Sequence, residues 1–331
     1  MELSICIPTY RRNEQLAELL EALDSVLAPD ESEEGVSVRI LVIDNNPGGE
    51  ARPVVEAAAT GADRYPISYI HECRPGVTHV RNRALEANSS CDFIVFIDDD
   101  ELPTVGWLRA LWVAWKDTGA AAVFGPVRAV YNSSAPKWMV DARIHDCPTG
   151  NSAKREHPGF TNNCLVHLPT VRRHDLSFDP ALSLTGGEDI MFFDALLQRG
   201  ETLANAPEAW LTEKVPPERA TTAWLKQRWR REGSTDAMLF HRRRGEASGR
   251  WRAVLQLAPR IVIGGTLTAI IWGANGGRMS ALAAKHLFTF QRGRGMLDFV
   301  FDRRLEEYAR PAIGNVPPAS GPSANGANAH G

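Results

Sequence analysis

The chain has 331 residues, which is enough for two domains, since one domain takes about 150 residues. Hydrophobic residues make up 44% and charged residues 23% of it, and this ordinary composition excludes a mainly disordered, collagenous or coiled-coil chain. The net charge of −3 argues against a surface that binds polyanions all over. Five scattered cysteines without a CxxC pair exclude a disulfide framework. Since the first residues also show no secretory signal, we expect a cytoplasmic protein.

The first 215 residues alternate short apolar runs with helical patterns. Four runs rich in β-branched or aromatic residues predict buried strands at 3–7, 38–43, 67–70 and 93–97. Apolar side chains at helical spacing predict a helix at 16–27, and further helices are expected at 77–87 and 106–118. This order predicts an α/β fold in which helices flank a mostly parallel sheet.

Polar residues follow three of these strands. Pro8, Thr9 and Tyr10 follow the first, Asp44 follows the second, and the acidic run 98–101 follows the fourth. Ligands bind beyond the carboxyl ends of such strands. Adjacent carboxylates repel one another unless water or a cation neutralises them, and Mg²⁺ or Mn²⁺ takes such oxygen ligands together with substrate phosphates. The run therefore predicts a metal site, with an acidic turn that caps the next helix as the alternative.

Five motifs in order resemble those of family 2 glycosyltransferases with the GT-A fold. They are Ile5-Cys6-Ile7-Pro8-Thr9-Tyr10, Leu41-Val42-Ile43-Asp44-Asn45, Gly76-Val77 with Arg81-Asn82-Arg83-Ala84, Phe96-Ile97-Asp98-Asp99-Asp100, and Gly187-Glu188-Asp189. The resemblance covers about residues 1–215. It implies an inverting transfer of a sugar from a nucleotide-diphosphate sugar to an acceptor hydroxyl, in the synthesis of a bacterial surface glycan or other glycoconjugate.

The resemblance also implies a nucleotide-sugar site at the ends of the predicted strands. Its residues are Pro8, Thr9, Tyr10, Asp44, Arg81, Asp98 and Asp99. Asp44 is expected near the base, and Arg81 is expected to close over the nucleotide. The residues themselves leave alternatives open, since Asp44 can cap a turn formed with Asn45 and Asn46, and Arg81 can lie on a solvated helix face.

The same resemblance implies that Asp98 and Asp100 bind a divalent metal, Mg or Mn, that bridges to the diphosphate. A cation there neutralises the charge that builds on the departing nucleoside diphosphate. Asp189 matches the carboxylate that takes the proton of the acceptor hydroxyl, with Glu188 and Asn162 on the acceptor side. The alternative is that Glu188 and Asp189 only favour the dipole of the helix that they begin.

Two motifs depart from the family pattern. Many relatives carry a metal-binding His after the final strand, and this chain has Glu213 there, which we expect to be a substitute ligand. The Gln-x-x-Arg-Trp motif of processive synthases is not reproduced, because Gln227, Arg228 and Trp229 are contiguous.

The composition changes beyond residue 215. Residues 218–260 contain eleven Lys or Arg, four Asp or Glu and three Trp, and residues 261–277 carry no charge. We expect a helical region at 216–310 that attaches peripherally to the inner face of the cell membrane, because basic residues and Trp favour an anionic interface. In this view the uncharged run is a re-entrant or interfacial helix, and the alternative is a buried core helix. The Pro-, Gly- and Ser-rich residues 311–331 predict a disordered tail.

Two other functions fit parts of the sequence. A sugar-phosphate nucleotidyltransferase also uses carboxylate-bound Mg²⁺, but that class has a Gly-rich loop after its first strand, and residues 8–11 contain no glycine. The second alternative is a membrane- or polyanion-binding protein with an inactive GT-A domain. Interleaved Trp and Arg favour a membrane over nucleic acid. The expected partners are therefore a nucleotide-diphosphate sugar, a glycan or lipid-linked acceptor, and a membrane surface.

Overall fold

The computed structural model describes residues 1–27, 35–61, 65–148, 158–183, 185–244, 246–301 and 303, without the side chains of 244–258 and 260. The predicted tail at 311–331 lies outside the described residues. The strands are β1 Glu2–Thr9, β2 Ser37–Asp44, β3 Ile67–His71, β4 Phe93–Ile97, β5 Glu101–Pro103, β6 Ala122–Phe124, β7 Val127–Tyr131, β8 Asn163–His167, β9 Leu203–Asn205 and β10 Leu211–Val215. The helices are α1 Asn13–Val26, α2 Arg52–Gly61, α3 Val77–Ala87, α4 Trp107–Thr118, α5 Lys137–Asp141, α6 Leu168–Arg173, α7 Glu188–Gln198, α8 Thr222–Arg244, α9 Glu246–Ala274 and α10 Ala281–Val300.

A seven-stranded sheet in the order β3-β2-β1-β4-β8-β6-β9 forms the centre of the molecule. The pairs β1–β2, β2–β3, β1–β4 and β6–β9 are parallel, and β8 lies antiparallel between β4 and β6. The predicted mostly parallel sheet is thereby confirmed. β1 runs two residues beyond the predicted strand, because Pro8 and Thr9 continue the pairing with Ile43 and Asp44 of β2. This register places Thr9 beside Asp44.

Helices cover both faces of the sheet. Every residue of β4 is buried, so its side chains must pack on both sides. Val95 packs on one side with residues of α1 and α4, and Phe96 packs on the other with residues of α3 and α7. Strands covered in this way are held firmly, so the loops at their carboxyl ends are displayed from a rigid base.

A second, three-stranded sheet in the order β5-β10-β7 was not expected from the sequence. β5 has three residues, which is too short to show a periodic pattern, and it begins inside the acidic run. Its antiparallel pairing with β10 places Glu101 opposite Glu213. The acidic run is thus continued by a strand and not by a helix, contrary to the helix-capping alternative.

The C-terminal region is helical, as predicted, and its helices pack on the rest of the molecule. Leu225 and Trp229 of α8 share a buried cluster with Val215 and with Leu287 of α10. Further along α8, Arg243 pairs with the buried Asp194 of α7 at 2.6 Å. Of the helices in the described ranges, none combines the length and the apolar character needed to cross a membrane.

Candidate active site

The ends of β1 and β4 are joined by a polar clamp. The Thr9 hydroxyl donates to Asp99 Oδ2 at 2.8 Å. Arg12, three residues further, lies 2.8 Å from Asp99 Oδ1 and 2.8 Å from Asp100 Oδ2. Since Asp99 is buried and has both oxygens occupied, it holds the two loops together and leaves Asp98 and Asp100 as the carboxylates on either side.

Asp44 is fully buried at the end of β2. Its carboxylate accepts hydrogen bonds from the backbone N–H of Asn46 at 2.7 Å, from that of Ala51 at 3.0 Å and from the Tyr69 hydroxyl at 3.1 Å. This is the turn-capping arrangement that the sequence left open. These hydrogen bonds show that Asp44 stabilises the loop at 45–51. A contact between Asp44 and a nucleotide base stays a prediction.

A cluster of carboxylates lies where the two sheets meet. Glu101 is buried, and its side chain accepts hydrogen bonds from Asn162 at 2.9 Å and from the backbone N–H of Asp98 at 3.2 Å. Burial and the neighbouring Asp98 and Glu213 raise the pKa of Glu101 well above its ordinary value. Burial likewise raises the pKa of Asp98 to about 7, with Arg81 opposing the rise and Asp100 adding to it. Like charges opposite one another on paired strands are destabilising, so this cluster favours a cation.

Two arginines supply positive charge to this cluster. Arg12 contacts Asp100 as described, and Arg219 lies 2.8 Å from Glu213 Oε1 and 3.8 Å from Asp100 Oδ2. Burial raises the pKa of Glu213, and Asp100 adds to the rise while Arg219 opposes it. Asp100 and Glu213 are therefore held by guanidinium groups that are themselves only partly buried.

The residues present suit a divalent cation that is also held by a substrate. Among the residues that the structure describes, no three His, Cys, Asp or Glu side chains are arranged to coordinate a metal. None of the described side chains donates a hydrogen bond to the Asp98 carboxylate. Mg²⁺ commonly uses one or two carboxylates and completes its shell with water and substrate phosphates. Carboxylate oxygens from Asp98 and Asp100 meet that requirement without a third protein ligand.

Arg81 is buried and forms an ion pair with Glu188. The pair joins α3 to the first turn of α7, where Asp189 follows directly. Burial raises the pKa of Glu188 to about 7, and the charge of Asp189 adds to the rise while Arg81 opposes it. Arg81 therefore does not lie on a solvated helix face. It is positioned to hold Glu188 beside Asp189, and its predicted closure over the nucleotide remains a prediction.

The turn before Asp189 depends on a glycine. Gly187 has φ of 86°, a conformation that side chains with a Cβ rarely adopt. A Cβ at Gly187 would also lie 2.7 Å from Thr235 Cγ2 of α8. The partly exposed Asp189 accepts a hydrogen bond from the backbone N–H of Ile190 at 2.7 Å. Both the backbone conformation and the close contact with α8 thus fix the direction from which α7 presents Asp189.

The predicted metal ligand Asp98 and the predicted base Asp189 both lie close to β8. Arg81, Asp189 and Asp98 all act electrostatically on the thiol of Cys164, whose pKa is raised mainly by burial in β8. Asn162, directly before β8, joins the same region through Glu101. Asp44, at the end of β2, lies two strands away from β4 and next to the end of β1. Pro8 and Tyr10 are partly buried at that end, where the Arg11 guanidinium lies 5.3 Å from the Tyr10 ring centroid.

Two residues of this region were not singled out by sequence: Arg12 and Arg219. Arg12 lies two residues beyond the first motif, so its place just after β1 was the available signal. Glu101 was included in the acidic run, but its burial and its hydrogen bond from Asn162 could not be predicted. Arg219 was counted among many basic residues, and nothing in the sequence distinguishes it from them. Only the contact with Glu213 and Asp100 does so.

Comparison with known proteins agrees with this description. The profile of the family described as glycosyl transferase family 2 matches residues 4–195. The succinoglycan biosynthesis protein ExoM of Rhizobium meliloti (strain 1021) is 36% identical over 221 residues, which cover 67% of this chain and 69% of that protein.

Solved structures share the fold at low sequence identity. The mannosyltransferase PcManGT from Pyrobaculum calidifontis, in complex with GDP-Man and Mn²⁺, has a TM-score of 0.61 and 16% identity, covering 91% of this chain and 88% of that chain. The structure of S. aureus TarS 1-349 in complex with UDP-GlcNAc has a TM-score of 0.51 and 13% identity, covering 92% and 90%. Both likenesses concern the arrangement of the elements.

Proposed function

Since the chain belongs to glycosyl transferase family 2, we propose that it transfers a sugar, with inversion, from a nucleotide-diphosphate sugar to a hydroxyl of a growing bacterial polysaccharide. The relative from Rhizobium meliloti is named for succinoglycan biosynthesis, which supports a polysaccharide as the product. The complexes of PcManGT with GDP-Man and of TarS with UDP-GlcNAc support a nucleotide sugar as the donor.

One observation carries the proposal. Arg81 is paired with Glu188 at the start of α7, and its charge also acts on Asp98, opposing the rise that burial causes in the pKa of that carboxyl. The carboxylate proposed as the base, Asp189, is next to Glu188 in the chain. Arg81 thus connects the proposed donor side, at Asp98, with the proposed acceptor side, at Glu188 and Asp189.

On the donor side, Asp98 and Asp100 are the residues that would hold Mg²⁺ or Mn²⁺. The bound cation would supply Lewis-acid neutralisation of the leaving diphosphate. Arg12 and Arg219 both contact Asp100. Planar guanidinium groups also bind phosphate oxygens through paired hydrogen bonds. We infer that these two arginines turn to the diphosphate when nucleotide binds. Glu213, which pairs with Arg219 before nucleotide binds, lies next to the proposed metal ligand Asp100.

On the acceptor side, Asp189 would accept the proton of the attacking hydroxyl. An alcohol is a weak nucleophile, and a carboxylate within hydrogen-bond reach of its proton makes attack possible. Arg81 and Glu188 hold the first turn of α7, so that the base does not depend on a mobile loop. Asn162, which donates to Glu101, would border the sugar on the same side. One base and a good leaving group suffice for direct displacement, which inverts the anomeric centre.

We also infer that the acceptor is a glycan carried on a lipid and that the enzyme works peripherally on the inner face of the cell membrane. Residues 1–215 would carry the chemistry. Residues 216–310 would complete the site through Arg219 and would bring the acceptor to it. The basic and Trp-rich composition beyond residue 215 supports this arrangement.

A donor screen tests the proposed function. Purified full-length protein would be incubated with UDP-, GDP- and dTDP-sugars, with and without Mn²⁺, while release of the nucleoside diphosphate is measured. We expect Mn²⁺-dependent release from one nucleotide class, and faster release with a suitable acceptor glycan. A nucleotidyltransferase would instead release pyrophosphate from a nucleoside triphosphate and a sugar phosphate. That product, or no turnover of any donor by folded protein, would contradict the proposal.

A further inference from the structure

An apolar face of α9 is exposed to solvent. Val262, Ile263 and Ile270 are 64%, 56% and 59% exposed, and Trp272 is 49% exposed near the end of the helix. Ile263 and Ile270 lie two helical turns apart and therefore on one side of the helix. Leu282, in the first turn of α10, is 56% exposed next to the same end. Large side chains exposed together in this way mark an interaction surface.

The opposite side of α9 lies directly on α10. A Cβ at Gly264 would meet the backbone of Phe290 at 3.0 Å and that of His286 at 3.1 Å. Gly293 of α10 is similarly close to Ile261, where a Cβ would meet Cγ1 at 2.7 Å. Glycines let the two helix backbones approach this closely, so this side of α9 is covered by α10. The exposed apolar side consequently points away from α10.

The chain segment that includes this face carries only positive formal charges. Residues 247–297 contain seven Lys or Arg and no Asp or Glu, although the whole chain has a net charge of −3. The rest of the chain therefore carries −10. Arg278 follows the uncharged run directly, and Lys285 and Arg294 lie on α10, all three exposed. An exposed apolar helix face with exposed basic residues next to it in the chain is complementary to an anionic lipid surface.

We propose that the exposed face of α9, with the turn at 275–280 and the start of α10, docks on an anionic membrane leaflet and lies in the plane of the interface. The apolar side chains enter the boundary between headgroups and acyl chains, and the basic residues contact the headgroups. Trp272 is suited to that boundary because its ring is amphipathic. The docking itself does not depend on the transfer reaction. Only its benefit, delivery of a lipid-carried acceptor, rests on the proposed function.

Vesicle binding tests the docking face. Full-length protein would be sedimented with vesicles of equal parts phosphatidylglycerol and phosphatidylcholine, or of phosphatidylcholine alone. We expect binding to the anionic vesicles that weakens as salt is raised. Ile263→Gln with Ile270→Gln should weaken it on the order of 10²-fold, about tenfold for each apolar side chain withdrawn. Val105→Gln, which removes an apolar side chain before α4 that is 83% exposed, is the matched control and should bind as the wild type does.

A second pair of variants tests the charge. Arg278→Gln with Lys285→Gln should weaken binding to anionic vesicles by roughly fivefold for each residue, with little effect on phosphatidylcholine vesicles. Donor hydrolysis without acceptor should be unchanged in all these variants, so a failure of docking is distinguishable from a failure of the proposed function. Wild-type protein that stays in solution with anionic vesicles at low salt would overturn the proposal. A dimer that the double Gln variant dissociates would overturn it too, since a second copy would then cover the face.

Discussion

At the scale of residues, Arg81 and Glu188 form a buried ion pair within the candidate active site. Both side chains are under 10% exposed, so each charge depends on the other for stabilisation. One oxygen of Glu188, Oε2, has no hydrogen-bond partner among the described residues. The loss of either member should therefore be costly, and the pair also holds the turn that carries Asp189, the proposed base.

Removing Arg81 alone should destabilise the fold. We predict that Arg81→Met lowers the free energy of unfolding by about 3–5 kcal/mol, because it leaves the Glu188 carboxylate buried without a counter-charge. Arg81→Met with Glu188→Gln should recover most of that loss while remaining poorly active. Urea denaturation followed by circular dichroism measures both effects. An Arg81→Met variant as stable as the wild type would show that the ion pair is not what holds α3 to α7.

Asp100 provides the test of the metal side. Asp100→Ala should reduce Mn²⁺-dependent transfer by at least about 10²-fold, since neutralisation of the diphosphate is worth several kcal/mol and about 1.4 kcal/mol corresponds to tenfold. Asp117→Ala, which removes an exposed carboxylate at the end of α4, is the control and should leave transfer unchanged. Transfer at the wild-type rate by folded Asp100→Ala protein would exclude Asp100 as a metal ligand.

Asp189 provides the test of the acceptor side. Asp189→Asn keeps the size of the side chain and its hydrogen bond to Ile190 but removes the ability to accept a proton. General-base catalysis contributes about 10²–10⁴-fold, so kcat should fall by that amount while the KM for the donor is nearly unchanged. Steady-state kinetics with varied donor separates the two quantities. A large rise in KM with kcat preserved would make Asp189 a binding residue.

At the scale of elements, α8 and α10 pack through glycines. A Cβ at Gly295 would collide with the backbone carbonyl of Arg230, and one at Gly233 would collide with that of Arg292. The same approach lets Arg230 pair with Asp298 at 2.7 Å and Arg292 with Asp236 at 2.7 Å. Close backbone contact and flanking ion pairs thus specify how the two helices align.

A single methyl group should disturb this packing. We predict that Gly295→Ala lowers stability by about 2 kcal/mol, because overpacking typically costs about 1–3 kcal/mol and here a main-chain carbonyl must move. Gly273→Ala on α9 has no atom within 4 Å of the new Cβ, so it should raise stability by about 0.5–1 kcal/mol through helix propensity. Thermal unfolding of the two variants gives the comparison. Equal effects in both would mean that the helices are not held at Gly295.

The elements differ in how well sequence predicts them. The strands at 3–7, 38–43, 67–70 and 93–97 are apolar runs long enough to carry a period, and all four are confirmed. β5 lies at the edge of the small sheet and β10 in its middle, and polar residues such as Glu101 and Glu213 interrupt both, so neither is a continuous apolar run. Their pairing depends on contacts across more than 100 residues, which local patterns do not contain.

At the scale of the whole molecule, the C-terminal region contacts the elements that carry the candidate site. Leu239 of α8 packs with Ile190 and Met191 of α7, the helix that carries Asp189. Arg219, just before α8, reaches Asp100. Removal of the residues beyond 215 would eliminate both contacts. Membrane docking is therefore better tested with substitutions in the full chain than with a truncation. The division at residue 215 stays a prediction.

Strand ends and short motifs predicted which residues belong to the candidate site. Family membership and the GT-A fold are confirmed. Asp98, Asp99 and Asp100 directly follow β4 as the motifs predict, and the roles of the candidate site residues stay predictions. The partners of these residues could not be predicted. The pairs Arg81–Glu188 and Arg219–Asp100 join segments that are distant in sequence. Arginine and acidic residues are common on protein surfaces, so residue type alone does not indicate these contacts.

The stereochemistry of the product tests the central claim most directly. In the proposed mechanism Asp189 activates the acceptor and no covalent intermediate forms, so each transfer proceeds by one displacement at the anomeric carbon. Nuclear magnetic resonance of the anomeric proton in the product formed from an α-linked nucleotide sugar should therefore show a β linkage. An α linkage would require two displacements or front-side attack, and would contradict the role assigned to Asp189.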